Sequence, residues 1–338
     1  MTVPGASPSL ARMARLRLGL IGVGRHGLRY VRHIREDFPG LELTALWRRD
    51  HAAARQQASD FGCRAFADIG ALVAADDVDA VIAVVPPSLH RAIVGAAAAA
   101  AKPLLLEKPA AVSIADGEAM RAAVARSGSA VMVAQTLRFN GVVRAIHAAR
   151  ERIGRIHGVR LSQRFEASRP GWIDDPDVAG GGVMLHTGVH SFDMMRFLSD
   201  MEAVSVACSV ASVGTARTED NFVATVRLSQ PQALASVSGS RATASRSGPI
   251  ELAGEHGQLI GDHVLNTACL VRSGGIEPLE VPPPVPTVRE ALGAFVHAVE
   301  RGAEMPITLD DGLRAIAVVM AGYESARSGA QAEVHTWS

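Results

Sequence analysis

From Arg15 to about Val133, short apolar runs alternate with stretches of helical spacing. "LRLGLIGVG" reads as a buried strand, "RHGLRYVRHIRED" as a helix, "LELTALW" as the next strand, and "HAAARQQASDFG" as a helix closing at Gly62. The rhythm continues through "DAVIAVV", the alanine-rich "HRAIVGAAAAAA", "PLLLEKP" and "AVMVAQ". Continuous apolar strands separated by helices predict a doubly wound parallel sheet with both faces covered.

After Arg138 the pattern changes. A helix through "NGVVRAIHAARERIG" leads into strand-like alternation in "HGVRLSQRF". Between Val204 and about Arg272 come short strands with turn signals: "FVATVRLSQ", "ALASVSGSR", "IELAGEHGQLIG" and "ACLVRSG". Strands joined by short turns predict a largely antiparallel open sheet. "GIEPLEVPPPVP" is a proline-rich connector. Val288 to Ser328 reads as two helices, with "TLDD" at Thr308 to Asp311 capping the second. The expected division is an α/β domain over residues 15–138 and an α+β domain over 139–338, the final helices being free to pack back on the first domain.

Composition narrows the class. A chain of 338 residues exceeds the usual single core, so two domains are the prior. The apolar fraction of 48% and charged fraction of 20% suit a globular protein. The formal net charge is zero and aromatics make up 4%, which argues against nucleic-acid and anionic-membrane partners. The longest apolar stretch, Ala92 to Ala101, is too short to span a bilayer. Cys63, Cys208 and Cys269 form no paired spacing, as expected in a reducing cytoplasm. "MTVPGASPSLARMAR" has no apolar core of a signal peptide and reads as a flexible tail.

Four places carry candidate chemistry. "GVGRHG" sets Gly22, Gly24 and Gly27 in G-x-G-x-x-G spacing between a strand and a helix. That context predicts dinucleotide binding, with phosphates at the helix N-terminus, flanked by Arg25 and His26. The second strand ends "ALWRRD", placing Arg48 and Arg49 where a ribose-binding acid is expected. Guanidinium groups favour a 2′-phosphate, so the reading is NADP(H) over NAD(H), with Asp50 keeping NAD open. "LLLEKP" puts Glu107, Lys108 and Pro109 at the C-terminal end of a parallel strand, where ligands gather. Only Lys102 and Lys108 are lysines in a chain that otherwise uses arginine, which singles out Lys108; Pro109 also makes a cis bond possible there. Finally, "GGGVMLHTGVHSFD" spaces His186 and His190 four apart, on one helix face. Such a pair can serve a metal, proton transfer or a core. The H-E-x-x-H glutamate and an obvious third ligand are missing, Asp193 being the nearest carboxylate, so no metal is expected. Asp193, three residues after His190, is placed either to orient it or to serve the structure, the structural role being at least as strong a reading.

Taken in order, "GVGRHG", "VVPPSLH", "EKP", "RFN", "GGGVMLHTGVHSFD" and "DDGLRAIAVVMAGYESARSG" resemble the Gfo/Idh/MocA oxidoreductases from about Leu16 to Val334. The resemblance implies a Rossmann domain followed by a substrate-binding and oligomerisation domain in a homodimer or homotetramer. It implies hydride transfer between nicotinamide C4 and a hydroxyl or carbonyl carbon of a sugar, cyclitol or related small molecule. Lys108 would bind the substrate oxygen beside the nicotinamide and His190 would relay its proton. Pro86, Pro87, His90, Glu107 and Arg138 would border the cofactor, and Trp172 would cover the substrate. The family usually has aspartate where this chain has His186, here assigned to tuning or contacting substrate. Two adjacent imidazoles resist simultaneous protonation. A non-catalytic dinucleotide-binding regulator, or a reductase of a non-carbohydrate carbonyl or imine, are the other readings.

Overall fold

The computed structural model describes residues 15–167 and 171–337. The tail expected over residues 1–14 lies outside them. Gly19 shows why the first strand sits deep. A Cβ there would lie 2.7 Å from the Leu72 side chain, so the strand packs directly on the helix beneath. That strand, β1 (Leu16–Ile21), opens an alternating series: α1 (Gly27–Glu36), β2 (Leu41–Trp47), α2 (His51–Phe61), β3 (Arg64–Phe66), α3 (Ile69–Ala74), β4 (Ala80–Ala83), α4 (His90–Ala99), β5 (Leu104–Leu106), α5 (Ile114–Ser127) and β6 (Val131–Val133). Every pairing is parallel and the order is β3-β2-β1-β4-β5-β6. The strand ends of β1, β4 and β5 therefore open on one crevice at the switch in strand order. The series of apolar runs identified the central strands; β3, α3 and α5 were missed, the two helices because they carry weak amphipathic patterns.

The second sheet begins after α6 (Gly141–Ala149). Its strands are β7 (Ile156–Glu166), then, following α7 (Pro176–Ala179) and α8 (Val189–Ser199), β8 (Ala203–Ala211), β9 (Asn221–Leu228), β10 (Leu234–Thr243), β11 (Pro249–Gly254), β12 (Gly257–Asp262), β13 (Thr267–Arg272) and β14 (Gly275–Pro278). α9 (Thr287–Arg301) and α10 (Leu309–Ser328) precede a short edge strand, β15 (Ala332–Glu333). The sheet is antiparallel except where β7 and β10 run parallel. Alternate residues point inward: Phe222, Ala224 and Val226 of β9 are buried, as are Ala235, Val237 and Gly239 of β10. α6, α8 and α10 cover that face.

Thr308 and Asp311 form the capping box that starts α10. The helix crosses back onto the first sheet, where Val133 N–H donates to Ile307 O at 3.0 Å. A Cβ on Gly312 would lie 2.8 Å from Val133. This crossing fixes the parallel sheet against α8, which carries His190 and continues from the turn that carries His186. No helix among the described residues is long and apolar enough to cross a membrane.

Candidate active site

The turn after β1 excludes side chains at two points and opens at a third. Gly22 has φ +98°, and a Cβ there would lie 2.1 Å from the Val84 carbonyl oxygen. One on Gly27 would lie 2.0 Å from Gly22 O. Only glycine serves at both. Gly24 has nothing within 4 Å of its Cβ position, so the turn presents bare backbone to the crevice, followed at once by the N-terminus of α1. That cradle fits the phosphates of a dinucleotide. Gly24 and Arg25 are exposed at its lip.

At the end of β2, Arg48 is half-buried and Arg49 exposed, and neither guanidinium has a partner among the described residues. Asp50 instead caps α2, accepting from Ala53 N at 3.0 Å, and that amide holds the carboxyl below its usual range. The position is therefore cationic, as the sequence suggested.

The Glu107–Lys108 corner divides its labour. Glu107 is buried and accepts from His26 Nε2 and Tyr30 Oη, both at 2.7 Å, and from Lys108 N at 3.1 Å. Burial opposes its charge, but the contacts of His26, the nearby Lys108 and the Tyr30 hydroxyl prevail and hold it down to about 2. The Glu107 and His26 side chains tie the helix after the glycine turn to the end of β5. His90 has a structural role as well. It is fully buried with Nδ1 at 3.2 Å from Ala110 O and Nε2 at 3.3 Å from Val85 O, which braces the loop under Pro86 and Pro87 and leaves no ring atom for a ligand. Pro87 is buried as well and Pro86 half-buried. The Lys108–Pro109 bond is cis.

Lys108 reaches across the molecule. Its Nζ donates to His186 O at 2.9 Å, joining β5 to the turn that feeds α8. That turn, Met184–Gly188, is π-helical and continues directly into α8. The three glycines before it answer to packing. Cβ atoms on Gly181 and Gly182 would lie 2.3 Å from Tyr323 Oη and 2.0 Å from Glu219 O. Glu219 then gathers Gly182 N, Met184 N and Tyr323 Oη at 3.1, 2.9 and 2.8 Å. Neither Glu219 nor Tyr323 was singled out from the sequence, because each acts on residues far along the chain.

His186 is buried beneath Trp172, whose ring meets it edge-on at 5.5 Å. Its Nε2 lies 3.0 Å from Ala179 O, so Nε2 carries the hydrogen and Nδ1 is the free acceptor. Burial first, then the charge of Lys108, pushes its pKa down to about 3. His190 is half-buried, with Nδ1 enclosed and unpartnered. Burial and Lys108 push it well below the usual imidazole value too. Both imidazoles are thus neutral, and the cation that keeps them so is Lys108 rather than the neighbouring ring.

Asp193 and Arg138 form a separate ion-pair cluster. Arg138 Nε and Nη2 grip the two oxygens of Asp193 at 2.8 and 2.6 Å, and Nη2 also meets Asp311 at 3.2 Å. Its guanidinium lies over Phe197 at 5.1 Å. Arg138 therefore rivets α8 to α10, and Asp193, gripped by Arg138, takes the structural role that its position allowed. Among the described residues no group of three His, Cys, Asp or Glu side chains is arranged to hold a metal.

Comparison with known proteins places this geometry. Residues 16–135 match the oxidoreductase family with an NAD-binding Rossmann fold, and residues 142–260 match the GFO/IDH/MocA C-terminal domain. A 1,5-anhydro-D-fructose reductase of Ensifer adhaerens is 32% identical over 280 residues, covering 78% of this chain and 82% of the reductase. An inositol 2-dehydrogenase of Rhizobium meliloti is 27% identical, covering 92% and 96%. The crystal structure of an oxidoreductase domain protein from Kribbella flavida superposes with a TM-score of 0.87 at 25% identity, covering 96% of this chain and all of that one. The chain belongs to the GFO/IDH/MocA family of oxidoreductases, with a first domain built to bind NAD(P).

Proposed function

We propose that the protein catalyses reversible hydride transfer at a hydroxyl-bearing carbon of a sugar, cyclitol or related small molecule, with NADP(H) preferred over NAD(H). The observation that carries this is the meeting of Lys108, from the end of β5, with the π-helical turn that bears His186 and leads to His190. When bound, the nicotinamide supplies the hydride acceptor or, in reverse, the donor. Gly22, Gly24 and Gly27 would seat the phosphates, and Arg48 would pair with a 2′-phosphate, since Asp50 is committed to its helix cap.

Oxidation takes a hydride from the carbinol carbon and a proton from its hydroxyl, leaving a carbonyl. Lys108 holds that oxygen through Nζ. His190, neutral, receives the proton and returns it in the reverse direction. His186 accepts a substrate hydroxyl hydrogen at Nδ1, and Trp172 shields the pocket from water. The outer face of the second sheet, with Val223 and Leu234 exposed at 58% and 50%, serves self-association.

Two measurements test the reading. Thermal-shift titration should give a larger stabilisation with NADP(H) than with NAD(H). A panel of sugars, cyclitols and their keto forms should produce cofactor turnover; binding without turnover across the panel would favour a regulator.

A further inference from the structure

The described arginines that are buried or half-buried donate to a carboxylate, a carbonyl or a hydroxyl, with two exceptions, Arg48 and Arg241. Arg48 has an occupant in the proposed 2′-phosphate. Arg241 has none assigned.

The pairing of its strand places it. Ala235, Val237 and Gly239 of β10 face inward; Arg241 lies in the irregular stretch between Ser240 and Thr243, where the register with β7 shifts, yet on the other edge its backbone still pairs with Asp220, two residues on from the Gly239–Phe222 pair. Gly239 and Gly188 pack on the same Phe222 ring, with Cβ positions 2.4 and 2.7 Å from it, so the inward face of β10 abuts the turn that holds His186. Arg241 N donates to Asp220 O at 2.8 Å, which sets the strand end. Its positive charge reaches both Lys108 and His186 and disfavours their protonation.

The carboxylates around it are engaged elsewhere. Asp220 accepts from Val213 N, Gly214 N and Asn221. Glu166 pairs with Arg246, Glu219 holds the glycine turn, and Glu107 holds His26 and Tyr30. The site thus combines two cations, neutral imidazoles and no free counter-charge. A half-buried guanidinium without a partner loses solvation and gains nothing from the fold. A ligand anion supplies the missing half, and the planar fork matches a carboxylate through two parallel hydrogen bonds. With Lys108 occupied by the reacting oxygen, one positive charge remains, which suits a monoanion better than a phosphate dianion.

We infer that the substrate is a polyhydroxylated carboxylic acid of the aldonate or uronate class, its carboxylate held by Arg241 and its reacting hydroxyl by Lys108. This rests on the hydride-transfer reading above, and binding is therefore measured separately from turnover. The full chain, loaded with cofactor, is assayed against gluconate, glucuronate, glucose 6-phosphate and neutral polyols. The expected result is a higher kcat/KM for an acid than for its neutral counterpart. In Arg241→Met the KM for that acid rises about 10- to 100-fold, the loss of one charged hydrogen-bonded pair, so that the acid-over-neutral preference collapses. Arg241→Lys restores part of it. The acid also raises the melting temperature of the wild type and does so less in Arg241→Met. Equal or better turnover of neutral polyols, a preference for the sugar phosphate, or a Met variant that weakens acid and neutral compounds alike would overturn the acid assignment while leaving hydride transfer intact. Acid-dependent stabilisation that requires Arg241, with no turnover of any compound, would support the anion subsite and overturn the hydride-transfer reading. No stabilisation by either acid would overturn the inference.

Discussion

Two charged clusters lie along α8, three residues apart, and they are built on opposite plans. Around Asp193, Arg138 finds two carboxylates and an aromatic ring, and its Nε and Nη2 are paired. Around His190, an imidazole nitrogen is enclosed without a partner, Lys108 rests on a single carbonyl, and the Arg241 guanidinium donates to nothing among the described residues. Buried polar groups that satisfy one another hold a fold; those left unsatisfied in a native structure need a reason. The proposed substrate would complete them. One helix therefore serves as a rivet on one side and as a working surface on the other.

The comparison is tested most severely by truncating the working side. Lys108→Ala and His190→Ala should each lower kcat/KM by about 100- to 10,000-fold while cofactor affinity, read by fluorescence titration, stays close to wild type. Normal turnover in either variant would remove that residue from the chemistry. The rivet should respond in the opposite sense. Arg138→Met leaves Asp193 buried and unpaired, and should destabilise the fold by about 3–5 kcal/mol in urea unfolding. A loss of activity without any loss of stability would mean Arg138 works on the ligand after all.

Acid should separate the clusters further. The native pKa of His186 is about 3, whereas an unfolded histidine titrates near about 6.5. The unfolded chain therefore takes up the proton first, and stability should fall as pH drops from about 6.5 toward 3. His186→Gln should flatten that part of the profile. His190 is pushed down as well, so kcat/KM for oxidation should hold level through pH 6.5 and decline only in more acid solution. A decline centred at 6.5 would mean an ordinary, solvated imidazole does the work. The mildest effect is expected at the cofactor's far end, where Arg48→Ala should weaken NADP(H) about tenfold and NAD(H) much less, measured by calorimetry.

Much of this architecture was legible from local pattern. The parallel strands announced themselves as apolar runs, the second helix as one closing at Gly62, and α10 by its Thr308–Asp311 box. Lys108 stood out because lysine is so rare in the chain. Arg241 lies where the register of β10 with β7 shifts, so extending the inward alternation of Ala235, Val237 and Gly239 would not have fixed its direction. Glu219 and Tyr323 had no such signal. They act on the glycine turn from 37 and 141 residues away, distances that no periodicity spans.

Dihedral preference, strand and helix period and glycine's lack of a Cβ operate between neighbours in the chain, so the sequence by itself determined the central strands, most of the helices and the dinucleotide turn, but not β3, α3 or α5. It also brought forward Lys108, His186 and His190. Whether a charged group is structural or available depends on what stands opposite it in space. The sequence left Asp193 open between orienting His190 and serving the structure; carboxylates 55 and 173 positions away from Arg138 closed on its one guanidinium. Only tertiary packing could decide that, because an ion pair in a half-buried site is set by distance and desolvation, neither of which is written along the chain.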